Sequence, residues 1–325
     1  MARNELITDH RSLNMPTPFH KLVRPRLPAA AIGIESDLVS IVQLERARGG
    51  FVIRRAASLN LPPELIKANF DQPNISNHAE VVRALTDLAT SAGLLRQRKF
   101  SASLPEAATR SAVITIEGAR ASRRETEELY EWKIERSFGA PASEFRVSRE
   151  QMAPDAQKQT RYLVNAVRHE VLAEYEALFR SLKWHVGLIL PRHTGEEQWL
   201  RNGKRGDGLL LSAHDEGFTA VLMRGERPLA VRTVFCDPEE REDELHRILM
   251  FYRDRVSTPA ESSAVERLLV IGERVDKNRV VEIAREAFGP DLKPLGPDDV
   301  GLLVPSNNLD FDAIAAPAGL ARLAW

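Results

Sequence analysis

The segment 31–44, Ala-Ile-Gly-Ile-Glu-Ser-Asp-Leu-Val-Ser-Ile-Val-Gln-Leu, constrains the fold more than any other stretch. An apolar run ends at Glu35-Ser36-Asp37 and resumes with Val39, Ile41 and Val42. This pattern predicts a strand, a tight polar turn and a second strand. A hairpin needs a larger sheet to join. The chain has 325 residues, 43% hydrophobic and 28% charged, enough to bury the cores of two lobes.

Forty-five basic residues against 46 acidic ones leave a net charge of −1, so no global attraction to nucleic acid or anionic lipid is expected. Cys236 is the single cysteine. It excludes an intramolecular disulfide, suits a reducing compartment, and reads as a structural thiol. No apolar stretch approaches the ~20 residues of a membrane helix, and the N-terminus lacks a signal peptide's apolar segment. The expectation is a cytoplasmic protein held at a membrane, if at all, through a partner. Residues 1–28 carry Arg3, Arg11, Lys21, Arg24 and Arg26 without apolar periodicity. They read as a disordered leader rather than a lipid-touching arm.

After the hairpin, Phe51-Val52-Ile53 predicts a third strand. Val81, Leu85, Leu88, Ala89 and Ala92 then stripe a helix closed by Gly93. Lys99–Leu104 reads as a strand, followed by a strand at Ser111–Glu117 and a helix capped by Ser122 and Glu125. That helix presents Leu129, Trp132 and Ile134. Two more strands and a helix striped by Val171, Tyr175 and Leu178 follow. Leu188–Pro191 adds a strand, and Gly203–Gly208 reads as a polar hinge. Beyond it lie strands at Leu209–Ser212, Phe218–Met223 and Pro228–Val234, a helix through Leu245–Tyr252, a strand at Leu268–Ile271 and two closing helices. No internal repeat is visible in the residues.

Several short patterns together resemble PilM-like type IV pilus assembly proteins, relatives of FtsA within the actin-like ATPases. They are the opening hairpin, Ser103-Leu104-Pro105, Glu131-Trp132-Lys133-Ile134-Glu135, the turn Arg224–Pro228 and Ala318-Gly319-Leu320-Ala321. The resemblance implies an α/β, two-lobed actin-like fold with ribonuclease H-like lobes and a small inserted strand-helix-strand-strand subdomain. Residues 29–101 with 185–203 would form the first lobe, 102–184 the insert and 204–325 the second lobe. It also implies a partner: the N-terminal peptide of a PilN-like membrane protein, seated between the first lobe and the insert, with other pilus platform proteins as further candidates. Trp132 is a candidate anchor for a partner, although a tryptophan on a helix stripe is more often core.

Actin-like ATPases present two hairpin loops and a late glycine pair to the nucleotide, with loop aspartates holding magnesium. Here the frame persists while those residue types do not. Gly33 falls where the family has aspartate, Glu35 where it has glycine, and Ser36 and Asp37 complete the turn. Ser212 occupies the second loop's aspartate position and His214 its glycine, with Asp207 and Asp215 flanking. In the third, Gly272 remains and Glu273 replaces the second glycine. A carboxylate 4 Å from a phosphate costs on the order of 4 kcal/mol at an effective dielectric near 20. The short segment between Phe235 and Leu268 also leaves no room for the family's capping subdomain. The expectation is therefore a scaffold with neither ATP nor magnesium as cofactor. The alternative is an active actin-like ATPase of pilus assembly or cell division using Glu35, Asp37 and Asp215. A third reading, a GspL-like secretion protein, would require a membrane helix after residue 325. His185 and His193, near Glu196 and Glu197, match no metal-ligand spacing and read as surface histidines.

Overall fold

The computed structural model describes residues 27–116, 123–153, 159–201, 206–256, 265–272, 275–305 and 309–325. Nearly all of the basic leader, the Ser122 cap, Glu273, half of the Gly203–Gly208 hinge and nearly all of the 256–264 loop lie outside the described residues.

β1 (Ala30–Ile34) and β2 (Leu38–Ala47) form the expected antiparallel hairpin, and β3 (Gly50–Asn60) returns along β2. On the other side of β1, β4 (Lys99–Leu104) and then β8 (His185–Pro191) add in parallel. In the second lobe β9 (Asp207–His214), β10 (Gly217–Arg224) and β11 (Arg227–Phe235) form the same three-strand meander. Beside β9, β12 (Val265–Ile271) and the short β13 (Lys293–Pro294) again add in parallel. The second sheet thus repeats the topology of the first. The repeat is one of strand order, invisible in the residues because each strand fills its positions with different side chains.

Strand faces alternate, and each sheet uses both of its faces. Ile32, Ile34, Ile41 and Phe100 pack under α1 (His78–Ser91) and α3 (His169–Ser181), through Leu85, Leu88, Tyr175 and Leu178. In the second lobe Leu209, Leu211 and Phe218 pack under α5 (Arg241–Val256) and α6 (Lys277–Phe288), through Leu249 and Ala284. Between the sheets lie α4 (Arg192–Glu196), its 3-10 continuation Glu197–Leu200, and α7 (Phe311–Arg322). These bury Ala31, Val42, Leu210 and Val221 against Trp199, Ile314 and Leu320. The two helices cross at glycines: a Cβ on Gly319 would sit 1.9 Å from the Gly195 carbonyl oxygen. The Trp199 indole N–H donates to the Ala315 carbonyl at 2.8 Å.

The insert is an antiparallel sheet of β5 (Arg110–Ile116), β7 (Thr160–Arg168) and β6 (Phe145–Gln151), in that spatial order, backed by α2 (Arg123–Phe138). Its core is Phe70, Ile114, Tyr130, Ile134, Phe145 and Val164. The face of α2 differs from the expected one: Tyr130 and Ile134, one turn apart, are buried, whereas Trp132 is 51% exposed with Arg136 over its ring. The insert is also tied to the second lobe, for the Ala153 amide donates to the Pro228 carbonyl at 2.8 Å. The C-terminal part is not confined to that lobe either, because β14 (Leu302–Leu303) pairs with β3 at the edge of the first sheet.

Candidate functional site

In parallel α/β sheets, ligand sites form beyond the carboxyl ends of the strands. Here the ends of β1, β4, β8, β9 and β12 converge on one interlobe cavity of about 200 Å³. Its walls are the hairpin turns Glu35–Asp37 and Asp215–Glu216, facing each other, with Asp310, Asp312, Ala316 and Pro317 of the α7 end as the back. The Glu35 amide donates to the Leu38 carbonyl at 2.8 Å and closes the first turn. Asp310 caps α7 by accepting from the Asp312 amide, and Asp312 pairs with Lys277 at 2.6 Å.

The glycines retained in the loops lie against protein. A Cβ on Gly33 would meet Ser40 Oγ at 2.6 Å and Pro317 Cδ at 3.1 Å. Gly272 has φ +112°, and a Cβ there would lie 2.5 Å from the Ala213 carbonyl oxygen. The Gly272 position admits only glycine, whereas Gly33 is kept small by its packing against Ser40 and Pro317 of α7.

A buried ionic group fills the floor. Arg192, which follows β8, donates to Glu196 at 2.6 Å and lies 3.7 Å from Glu35. Burial pushes the Glu35 carboxyl up to about 8; Arg192 opposes this, while Glu196, Glu106 and Asp37 add to it. Burial also works against the charge of Arg192, yet Glu196 and Glu35 hold it protonated well above its ordinary range. Glu106, just after β4, pairs with His193 Nδ1 at 2.7 Å. Burial opposes the Glu106 charge, but the His193 partner outweighs it and lowers the carboxyl to about 2. His193 is in turn raised by Glu106 despite its own burial.

The cavity brings together six of the residues expected from the loops: Gly33, Glu35, Ser36, Asp37, His214 and Gly272. Ser212 is fully buried on β9 and does not line it. Asp207 is at the other end of β9, paired with Arg224 at 3.3 Å, so it does not flank the site. Asp215 does line it, as do Glu35 and Asp37. Trp132 lies outside the cleft, on α2. The surface reading of His193 is corrected, because its side chain is fully buried in the Glu106 pair. Among the described residues no cluster of three or more His, Cys, Asp or Glu is placed to hold a metal. The sequence patterns do not mark Glu106 and Arg192 as cleft residues, nor His193 as the buried partner of Glu106. Their signal is positional: each comes one or two residues after the end of a parallel strand.

The polarity of the wall is one-sided. Asp37, Glu106, Asp215, Glu216, Asp310 and Asp312 line it, together with Glu35, whose raised carboxyl keeps its proton at neutral pH; among the lining residues the one side-chain cation is Arg192. A nucleotide polyphosphate needs donors and positive charge, and the only guanidinium present is committed to Glu196 and Glu35.

The backbone is similar to a solved structure titled PilM-PilN type IV pilus biogenesis complex, with TM-score 0.72 and 19% identity over 92% of this chain and 99% of that one. The fold is that of PilM, an actin-like ATPase fold. Further similarities are to the cytoplasmic domain of EpsL, an inner membrane component of the type II secretion system of Vibrio cholerae (TM-score 0.45, 11% identity, 74% of this chain and 81% of that one). Another is to a Bacteroides thetaiotaomicron protein of actin-like ATPase fold and unknown function (TM-score 0.43, 10% identity, 92% and 97%). No family model and no curated protein matches the chain. Among the described residues of this PilM-like fold, no helix is long and apolar enough to cross a membrane.

Proposed function

We propose that the chain is a PilM-like scaffold of a type IV pilus assembly platform. It takes the N-terminal segment of a PilN-like membrane protein between its first lobe and its insert, and it does so without nucleotide hydrolysis. The observation that carries the reading is the likeness to PilM over nearly the whole of both chains. The cleft supports the absence of hydrolysis: acidic turns replace the phosphate loops, Gly33 is packed on Pro317, and about 200 Å³ falls below the roughly 300–1,000 Å³ of ordinary ligand pockets. Capture of a peptide in a preformed groove needs no nucleotide. Attachment to the inner membrane would then be indirect, through that partner. The test is thermal unfolding with a synthetic PilN-type N-terminal peptide. A ligand that binds the native state raises Tm by mass action, so the peptide should raise it and a scrambled peptide should not. An unchanged Tm would refute the partner assignment.

A further inference from the structure

We propose that the interlobe cavity is a binding site for a primary ammonium cation, and that its ligand chemistry is the inverse of a nucleotide's. Two independent observations meet here. The first is the wall already described, in which carboxyl side chains are the commonest polar groups, with Ser36, Ser58 and Asn60 between them and Arg192 turned to Glu196 and Glu35. The second is His214, at the carboxyl end of β9. It is 4% exposed and lines the cavity, yet neither ring nitrogen has a hydrogen-bond partner. Its nearest acid, Glu216, is 3.7 Å away, beyond hydrogen-bond range. A buried imidazole without a partner is costly, and a neutral ring keeps one nitrogen as an acceptor.

An ammonium group is a compact charge with three donors and no acceptor. The His214 ring nitrogen and the Asp215 and Glu216 carboxylates, contiguous across the β9–β10 turn, supply acceptors from one wall, and Asp37 supplies another from the opposite turn. Glu216 is the more solvent-accessible of the pair, its side chain 43% exposed against 4% for His214. A guanidinium is larger and planar and favours bidentate carboxylates. The site goes beyond the scaffold reading, since it lies in the cleft and not in the peptide groove. The ammonium could belong to a free polyamine or to a lysine side chain, and the two share this chemistry.

The experiment is thermal unfolding and calorimetric titration of the full chain with spermidine and, separately, with n-butylammonium as the lysine side-chain mimic. Sodium chloride at matched ionic strength is the control. Saturable binding of either amine, absent with the salt, is expected. A stronger response to spermidine would point to a polyamine, and a response to butylammonium at least as strong would point to a lysine. The D215N/E216Q variant should bind about tenfold more weakly, the loss of two charge-assisted contacts. E239Q/E240Q, on the exposed turn Pro238–Glu240, should bind as the parent does. If D215N/E216Q fails to fold, H214F serves in its place, since it removes the acceptor and keeps an aromatic ring beside Phe235. No binding by the parent, or binding unchanged in the cavity variant, overturns the proposal.

Discussion

At the scale of single residues, the cleft is governed by buried charge rather than by loop glycines. Glu106 is held at about 2 in the fold against an ordinary value near 4.3. Its contribution is therefore complete above the ordinary carboxylate range and is lost as pH falls towards 2. His193 is raised, so its contribution is present below about 6.5 and is lost as pH climbs through its higher folded value. Glu106→Gln leaves the buried His193 without its counter-charge and should cost about 3–5 kcal/mol at pH 6, measured by urea unfolding. The acid-side loss of stability in the parent should also flatten in the variant. Glu35 behaves oppositely. Its carboxyl, raised to about 8, binds its proton more tightly in the fold than in the unfolded chain. Stability therefore falls as pH rises from about 4.5 to 8. Glu35→Gln should remove that decline, so that its unfolding free energy, measured by urea titration, stays level across the window while that of the parent falls. A parent whose stability does not fall over that window would contradict the burial of Glu35.

At the scale of elements, the helices between the sheets hold the two lobes at a fixed approach. Gly195 and Gly319 allow α4 and α7 to touch backbone to backbone. Gly319→Ala should destabilise by about 1–3 kcal/mol or more, whereas Gly187→Ala on β8, with nothing within 4 Å of the new methyl, should stay within about 0.5 kcal/mol. Differential scanning calorimetry separates the two. On α2 the buried face is masked in the sequence, for a physical reason. Charged residues surround almost the whole helix, so Leu129, Trp132 and Ile134 looked like its stripe, while the sheet beneath takes only Tyr130 and Ile134 fully. Ile134→Ala should then cost about 2–5 kcal/mol, and Trp132→Ala, half exposed, should leave stability within about 0.5 kcal/mol.

At the scale of the whole molecule, the fold was legible because periodicity reports burial. β1 to β3, α1, β4 and β8 to β12 fall where alternation or helical stripes place them, and α7 where the resemblance of its alanine-glycine-leucine-alanine run puts a helix. The duplication of the lobes was not legible, because equivalent strands share an order and no residues. The cleft was half legible. Local patterns located Glu35, Asp37, His214 and Gly272, but Glu106, Arg192 and His193 converge on it from strand ends far apart in the chain. Under the proposed function that cleft is a frame retained without its nucleotide chemistry, in a molecule whose work is to hold a partner. Calorimetric titration of a PilN-type N-terminal peptide, with and without Mg·ATP, tests this most directly. The account predicts saturable binding with the same Kd in both conditions and no heat from Mg·ATP alone. Peptide binding that requires Mg·ATP, or saturable binding of Mg·ATP abolished by Glu35→Gln, would contradict it.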